Sequence, residues 1–158
     1  MQQFIDDFDP DTDPDTVPVN VVVNDTAGMQ FSGTLDNIVY FQFQLPDNVD
    51  VAKDINFKFI YRMESSESSK NVSFNLAYYV VADGDTLTSK SFTSTEDEVA
   101  VPNDSTIDIL TGTNMKIPSS AISAVGELVV CRFTRDVDGA TSNHTGILEL
   151  FDVIAYQS

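Results

Sequence analysis

The sequence predicts an all-β fold, an antiparallel β-sandwich of the jelly-roll type with eight to nine strands. Three observations carry this. Apolar residues recur at every second position wherever they cluster, and turn residues return about every ten to fifteen positions. The acidity is borne by aspartate, with 19 Asp against 6 Glu. Aspartate prefers turns and loops to helix interiors, because its short side chain bonds the local backbone.

The elements follow in chain order. Residues 1–16, MQQFIDDFDPDTDPDT, carry six aspartates between positions 6 and 15 and no base. Prolines 10, 14 and 18 fix extended geometry and like charges straighten the segment, so an acidic extended N-terminal arm is expected. A single domain, 17–158, begins where VPVNVVV takes over. Val39, Phe41, Phe43 and Leu45 alternate with Tyr40, Gln42 and Gln44, and LPDNVDVAKD then supplies a loop. Ile55, Phe57, Phe59, Tyr61 and Met63 form the next apolar face. After the polar loop ESSESSK come Val72, Phe74, Leu76, Tyr78 and Val80. VADGDT (81–86) places Asp83-Gly84 as a hairpin signal. VPNDST (101–106) is a turn before a short strand, Ile107 to Leu110. PSSAIS (118–123) is the one helical piece, opened by Pro118. LVVCRFTR (128–135) and GILELFDVIAY (146–156) complete the strands around the polar loop DVDGATSNHT.

Composition limits function. With 25 acidic and 8 basic side chains the net charge is −17, which repels nucleic acid and anionic lipid. No apolar run approaches the ~18 residues of a membrane-spanning helix, and the N-terminus lacks the pattern of a secretory signal. Synthesis in a cytoplasm is expected, with neither nucleic acid nor membrane as partner. The lone Cys131 lies in an apolar run and reads as a small buried hydrophobe. One cysteine and one histidine are too few for an ordinary zinc site.

Two stretches invite a chemical reading. In the arm, Asp9, Asp11, Asp13 and Asp15 alternate like calcium ligands. Pro14, however, stands where a calcium loop needs glycine, and no glutamate closes the site, which leaves at most weak calcium binding. Phe4, Ile5 and Phe8 are out of place on a solvated tail. Burying each is worth about 2 kcal/mol, so they are expected to dock on a neighbouring subunit or another protein. In RDVDGATSNHT (135–145), Arg135, Asp136, Asp138, Asn143 and His144 gather within ten residues. A ligand or metal loop is one reading. The plainer one is a hairpin turning at Asp138-Gly139, with Arg135 paired to an aspartate and His144 on the surface. No GxSxG elbow accompanies the histidine, and paired carboxylates arise by abundance alone in so acidic a chain, so no catalytic residue and no cofactor are expected.

The stretch LPDNVDVAKDINFKFIYRMESSESSKNVSFNLAYYVVADGDTL, with the ending RDVDGATSNHTGILELFDVIAY, resembles small jelly-roll proteins of tailed bacteriophages. The resemblance spans about 45–87 and 133–156 and implies a non-enzymatic virion protein. It would be a capsid decoration (cement) protein on the head surface, a homotrimer that binds the major capsid protein. The arm lies outside the resemblance. The alternative is a head or tail fibre, or a host-surface glycan-binding jelly roll, for which Tyr40, Tyr61, Tyr78 and Tyr79 could supply stacking faces, although tryptophan is absent.

Overall fold

The structure is a computed structural model that describes residues 2–4, 8–10, 19–23, 26–67, 69–100, 108–110 and 114–157. Its strands are β1 (Gln2–Phe4), β2 (Phe8–Pro10), β3 (Val19–Val23), β4 (Thr26–Phe31), β5 (Asn37–Gln44) and β6 (Ile55–Met63). There follow β7 (Asn71–Val81), β8 (Thr93–Ala100), β9 (Asp108–Leu110), β10 (Lys116–Ile117), β11 (Leu128–Asp136) and β12 (Leu148–Tyr156).

The strands form two antiparallel sheets. One runs β10-β6-β12-β4-β3, with β1 on β12 and β9 on β6; the other runs β2-β5-β11-β7-β8. The pairing is that of a long hairpin rolled up on itself. β4 meets β12, β5 meets β11, β6 meets β9 and β10, and β7 meets β8. This is the jelly-roll wrap expected from the sequence, with the chain crossing between sheets at β4–β5, β5–β6 and β6–β7.

Alternation decides which side chains enter the core. Val39, Phe41 and Phe43 of β5 face inward, as do Phe57 and Phe59 of β6, Phe74 and Leu76 of β7, and Val129, Cys131 and Phe133 of β11. The sheets are stitched by aromatic contacts. The Phe59 and Phe133 rings stack with centroids 4.5 Å apart, and Phe74 lies 6.5 Å from Phe59. Such offset stacks add to the burial of each ring, itself worth about 2–3 kcal/mol. Cys131 is fully buried between Phe41 and Tyr78 in register, and burial drives its thiol well above the usual range. It is packing.

One local expectation is corrected, and another is met in its shortest form. Asp83-Gly84 does form a turn, with Gly84 at φ 85° and Asp85 N donating to Ala82 O. The return strand, however, begins only at Thr93, opposite Tyr78. The intervening residues 82–92 fold as a loop with a 3-10 turn at Leu87–Ser89, pinned by the Lys90–Asp85 ion pair. The helical piece is likewise a single 3-10 turn, Ser119–Ala121, after Pro118.

In the arm, Gln2–Phe4 pairs with the end of β12 and Phe8–Pro10 with β5. Ile5 and the aspartates at 11, 13 and 15 lie outside the described residues, as does the turn at 101–106.

Candidate functional site

The loop that looked most like a site is a structural clasp. Arg135, next to the last residue of β11, is fully buried, and among the described residues no aspartate pairs with it. Its guanidinium donates to the backbone carbonyls of Phe31 at 3.2 Å and Gly146 at 2.7 Å, and also to that of His144. Burial lowers its pKa to about 10, partly opposed by the Glu67 carboxylate, so it remains a cation near neutrality. His144 is buried too, not on the surface. Its backbone N–H donates to Asn71 O at 2.9 Å, and its Nδ1 accepts from Gly146 N at 3.0 Å. Glu67 binds the same loop by accepting from Thr145 N at 3.1 Å and Thr145 Oγ1 at 2.5 Å. Asn143 donates to Gly33 O at 2.8 Å. Most of the clasp's hydrogen bonds go to backbone, the Thr145 hydroxyl goes to Glu67, and Arg135 Nε and His144 Nε2 are buried without a hydrogen-bond partner. The inward direction of its strand position turns Arg135 toward these carbonyls and away from the aspartates of its own loop.

The outer faces of the two sheets differ. On the β6–β12 sheet several polar side chains pair with one another or with a ring. Arg62 pairs with the buried Glu149, which also accepts from Gln30 Nε2 at 3.2 Å, and Lys58 lies over the Tyr156 ring at 4.5 Å. On the β5–β11–β7–β8 sheet, three aromatic rings and one guanidinium gather instead. Tyr40 of β5 and Tyr79 of β7 flank β11 on its outward side, and Arg132 stands between them, opposite Tyr40 and Ala77 in register. Phe92, from the end of the 82–92 loop, folds back over this group. Its ring centroid lies 6.2 Å from Tyr40 and 4.9 Å from Tyr79, and Arg132 Cζ sits 5.0 Å above it.

Tyr40, Tyr79, Phe92 and Arg132 are all half-buried. The small side chain of Ala77, outward yet fully covered, leaves the room that Phe92 needs. Exposed Gln42 continues the face beside Tyr40, and Asn75 and Thr134 lie on its other side. Two polar atoms of the face have no hydrogen-bond partner although they are buried: Asn75 Oδ1, an acceptor, and Arg132 Nε, a donor.

Of the four tyrosines that the sequence offers as stacking faces, the structure brings Tyr40 and Tyr79 to this platform. Tyr61 and Tyr78 are 3% and 5% exposed and belong to the core. Phe92 and Arg132 escape sequence reasoning. An isolated phenylalanine in the polar stretch SKSFTST was the one available signal. The side chains of Phe4 and Phe8 are outside what the structure describes. Among the described residues no three His, Cys, Asp or Glu side chains gather as a metal-ligand group. No helix among them is long and apolar enough to cross a membrane.

No family model matches the sequence, and no curated protein does. Among solved structures, the CBM22-1 and GH10 modules of a Clostridium thermocellum xylanase complexed with xylohexaose align with 99% of this chain and 27% of their own, at 14% identity and TM-score 0.46. A family 11 carbohydrate-binding module from the same organism, in complex with a mixed-linked tetrasaccharide, aligns over 98% of this chain and 86% of its own, at 12% identity and TM-score 0.45. Infectious bursal disease virus, Gt strain, aligns over 92% and 34%, at 13% identity and TM-score 0.36. At such identities and scores the likeness goes no further than a shared β-sandwich, and no family match ties the chain to tailed bacteriophages.

Proposed function

We propose that the chain is a non-catalytic glycan-binding module whose sugar site is the outer face of the β5–β11–β7–β8 sheet. The observation that supports this is the platform itself: Tyr40, Tyr79 and Phe92 around Arg132, on a face that no other layer of the described domain covers. A pyranose ring has an apolar face of C–H bonds and a rim of hydroxyls. Aromatic rings meet the first, while guanidinium and amide groups bond the second. Arg132 and the amides of Gln42 and Asn75 supply those groups beside the rings. Catalysis has little to work with on this face, since the single histidine is locked in the clasp and Glu96 and Glu98 are held by Ser73 and Asn71. The test is a glycan array probed with the purified chain, followed by affinity electrophoresis of Tyr79→Ala and Arg132→Ala. Retained binding in both variants would move the site elsewhere, and an array without signal would remove the reading.

The capsid-decoration reading stands second, on one feature. The arm pairs by backbone hydrogen bonds with both sheets of its own domain, at β12 and β5, and the same bonds could be made on a neighbouring subunit in a trimer. In this reading Phe4, Ile5 and Phe8 dock on a neighbouring subunit or on the capsid and clamp the seam. Serine at all three positions should then lower occupancy on head shells while the domain stays folded. Unchanged occupancy would rule the clamp out.

A further inference from the structure

We infer that this outer face selects uncharged glycans and turns away uronic and sulfated ones, an inference that rests on the glycan-binding reading. The first ground is the charge around the platform. Among the described outward side chains of β5, β7, β8 and β11, Arg132 is the one base, while Glu96, Glu98 and Asp136 are acids of the same face. These carboxylates are fixed. Glu96 accepts from Ser73 Oγ at 2.8 Å, Glu98 from Asn71 Nδ2 at 2.6 Å and from Thr141 N, and Asp136 from Gly139 N at 2.7 Å. In register, Glu96 stands beside Asn75, and Arg132 is diagonal to Asn75 across the β7–β11 pair. That places Glu96 about 7 Å along the strands and about 10 Å across them from Arg132, roughly 12 Å in all or about one and a half Debye lengths at physiological salt. The remaining charge of the chain, −17 in all, adds to the same repulsion.

The second ground is the pair of unsatisfied atoms. Asn75 Oδ1 needs a donor and Arg132 Nε needs an acceptor. A sugar hydroxyl is both at once, so a neutral ring with adjacent hydroxyls can complete the two together. A carboxylate or sulfate oxygen only accepts. It could use Arg132 but would leave Asn75 Oδ1 facing another acceptor. Arg132 is also stacked on Phe92, which favours its use as a planar donor held against a ring over use as an open anion receptor. Both atoms are buried in the free chain, so the side chains around them shift as hydroxyls bind.

The experiment pairs neutral oligosaccharides with their uronate or sulfated counterparts on one array, then titrates the best neutral ligand and its acidic counterpart by calorimetry. The neutral ligand should bind about fivefold or more tightly at physiological salt, and the gap should widen at about 20 mM salt. Its own affinity should hardly depend on salt. The triple variant Glu96→Gln, Glu98→Gln, Asp136→Asn should bind the neutral ligand as before and the acidic one more tightly than the parent does. Preference for acidic glycans, or affinity that falls steeply with salt, overturns the selectivity and leaves glycan binding in place. Silence toward neutral and acidic glycans alike overturns both.

Discussion

Arg135 Nη1, at the end of β11 in one sheet, donates to the carbonyl oxygen of Phe31, 3.2 Å away at the end of β4 in the other. A single side chain thus joins the two layers of the sandwich at a point where neither backbone can pair with the other. The same guanidinium holds the 144–146 loop through two further carbonyls. Without it, three buried acceptors lose their donor at once. Arg135→Ala should therefore destabilise the domain by about 3–5 kcal/mol in urea unfolding. Arg135→Lys should recover only part of this, since an ammonium lacks the planar fork that spans the carbonyls. A loss below about 1 kcal/mol for the alanine variant would show that the loop holds itself.

His144 gives the clasp a pH dependence. Burial pushes its pKa below the ordinary 6.5, the Glu67 carboxylate offsetting part of the shift and Arg135 and Lys70 adding to it. The geometry agrees, because Nδ1 accepts from Gly146 N and a proton there would face another N–H. The unfolded chain takes up this proton more readily than the folded one. Stability should hence decline as pH falls below about 6.5 and go on declining until the folded imidazole itself protonates. Glu67 acts lower. Its Thr145 hydrogen bonds hold its pKa under the usual 4.5, so its contribution is lost only as pH drops below that. Urea midpoints of the parent and His144→Gln between pH 7 and pH 4 should show the upper part of the slope vanish in the variant. Parallel curves would sink this assignment.

Gly33 is the backbone counterpart of the clasp. A β-carbon there would lie 2.0 Å from Thr145 O and 2.2 Å from its carbonyl carbon, both main-chain atoms that cannot turn aside. Gly33→Ala should destabilise by about 2–4 kcal/mol, although the position reads in sequence as an ordinary loop glycine. Gly84, with open space around it, is a control of a different kind. Alanine there meets no atom within 4 Å and is disfavoured only by its φ of 85°, so the loss in thermal unfolding should be smaller.

How much of this was legible depended on whether a strand buries one face. β6 shows buried positions at every second residue over its nine, so its period-2 pattern declared it from Ile55 to Met63. β8, TSTEDEVA, is polar on both sides because it lies at the sheet edge, and no apolar alternation announced it. The Asp83-Gly84 turn was readable, but local chemistry could not say that the chain would wait until Thr93 to pair again. Burial of Arg135 and His144 was hidden for a related reason. Each is polar, and the parity of β11 that carries Val129, Cys131 and Phe133 into the core carries Arg135 with them, against the rule that a charged side chain stays outside. The platform was half visible, since tyrosines suggest stacking but their parity on the strand decides core or surface. Tyr78 and Tyr79 are neighbours in sequence and face opposite ways.

That parity makes the last prediction selective. Tyr79 is half-buried on the outer face against Phe92, whereas Tyr78 is core, with its phenol pKa raised by burial. Tyr79→Ala removes a stacking surface without opening the core, so stability should change by about 1 kcal/mol or less while affinity for the bound glycan falls about tenfold. Tyr79→Phe should keep most of the affinity if the ring face is what the sugar meets. Phe92→Ala separates two roles of that ring. As a platform, its loss weakens binding; as a mere cover over Arg132, its loss strengthens binding by freeing the guanidinium. Calorimetric titration of the three variants with one neutral oligosaccharide decides between these, and the stacking role predicts weaker binding for Phe92→Ala. Tighter binding would leave Tyr40 and Tyr79 as the sugar's contacts and make Phe92 the group that the ligand has to displace.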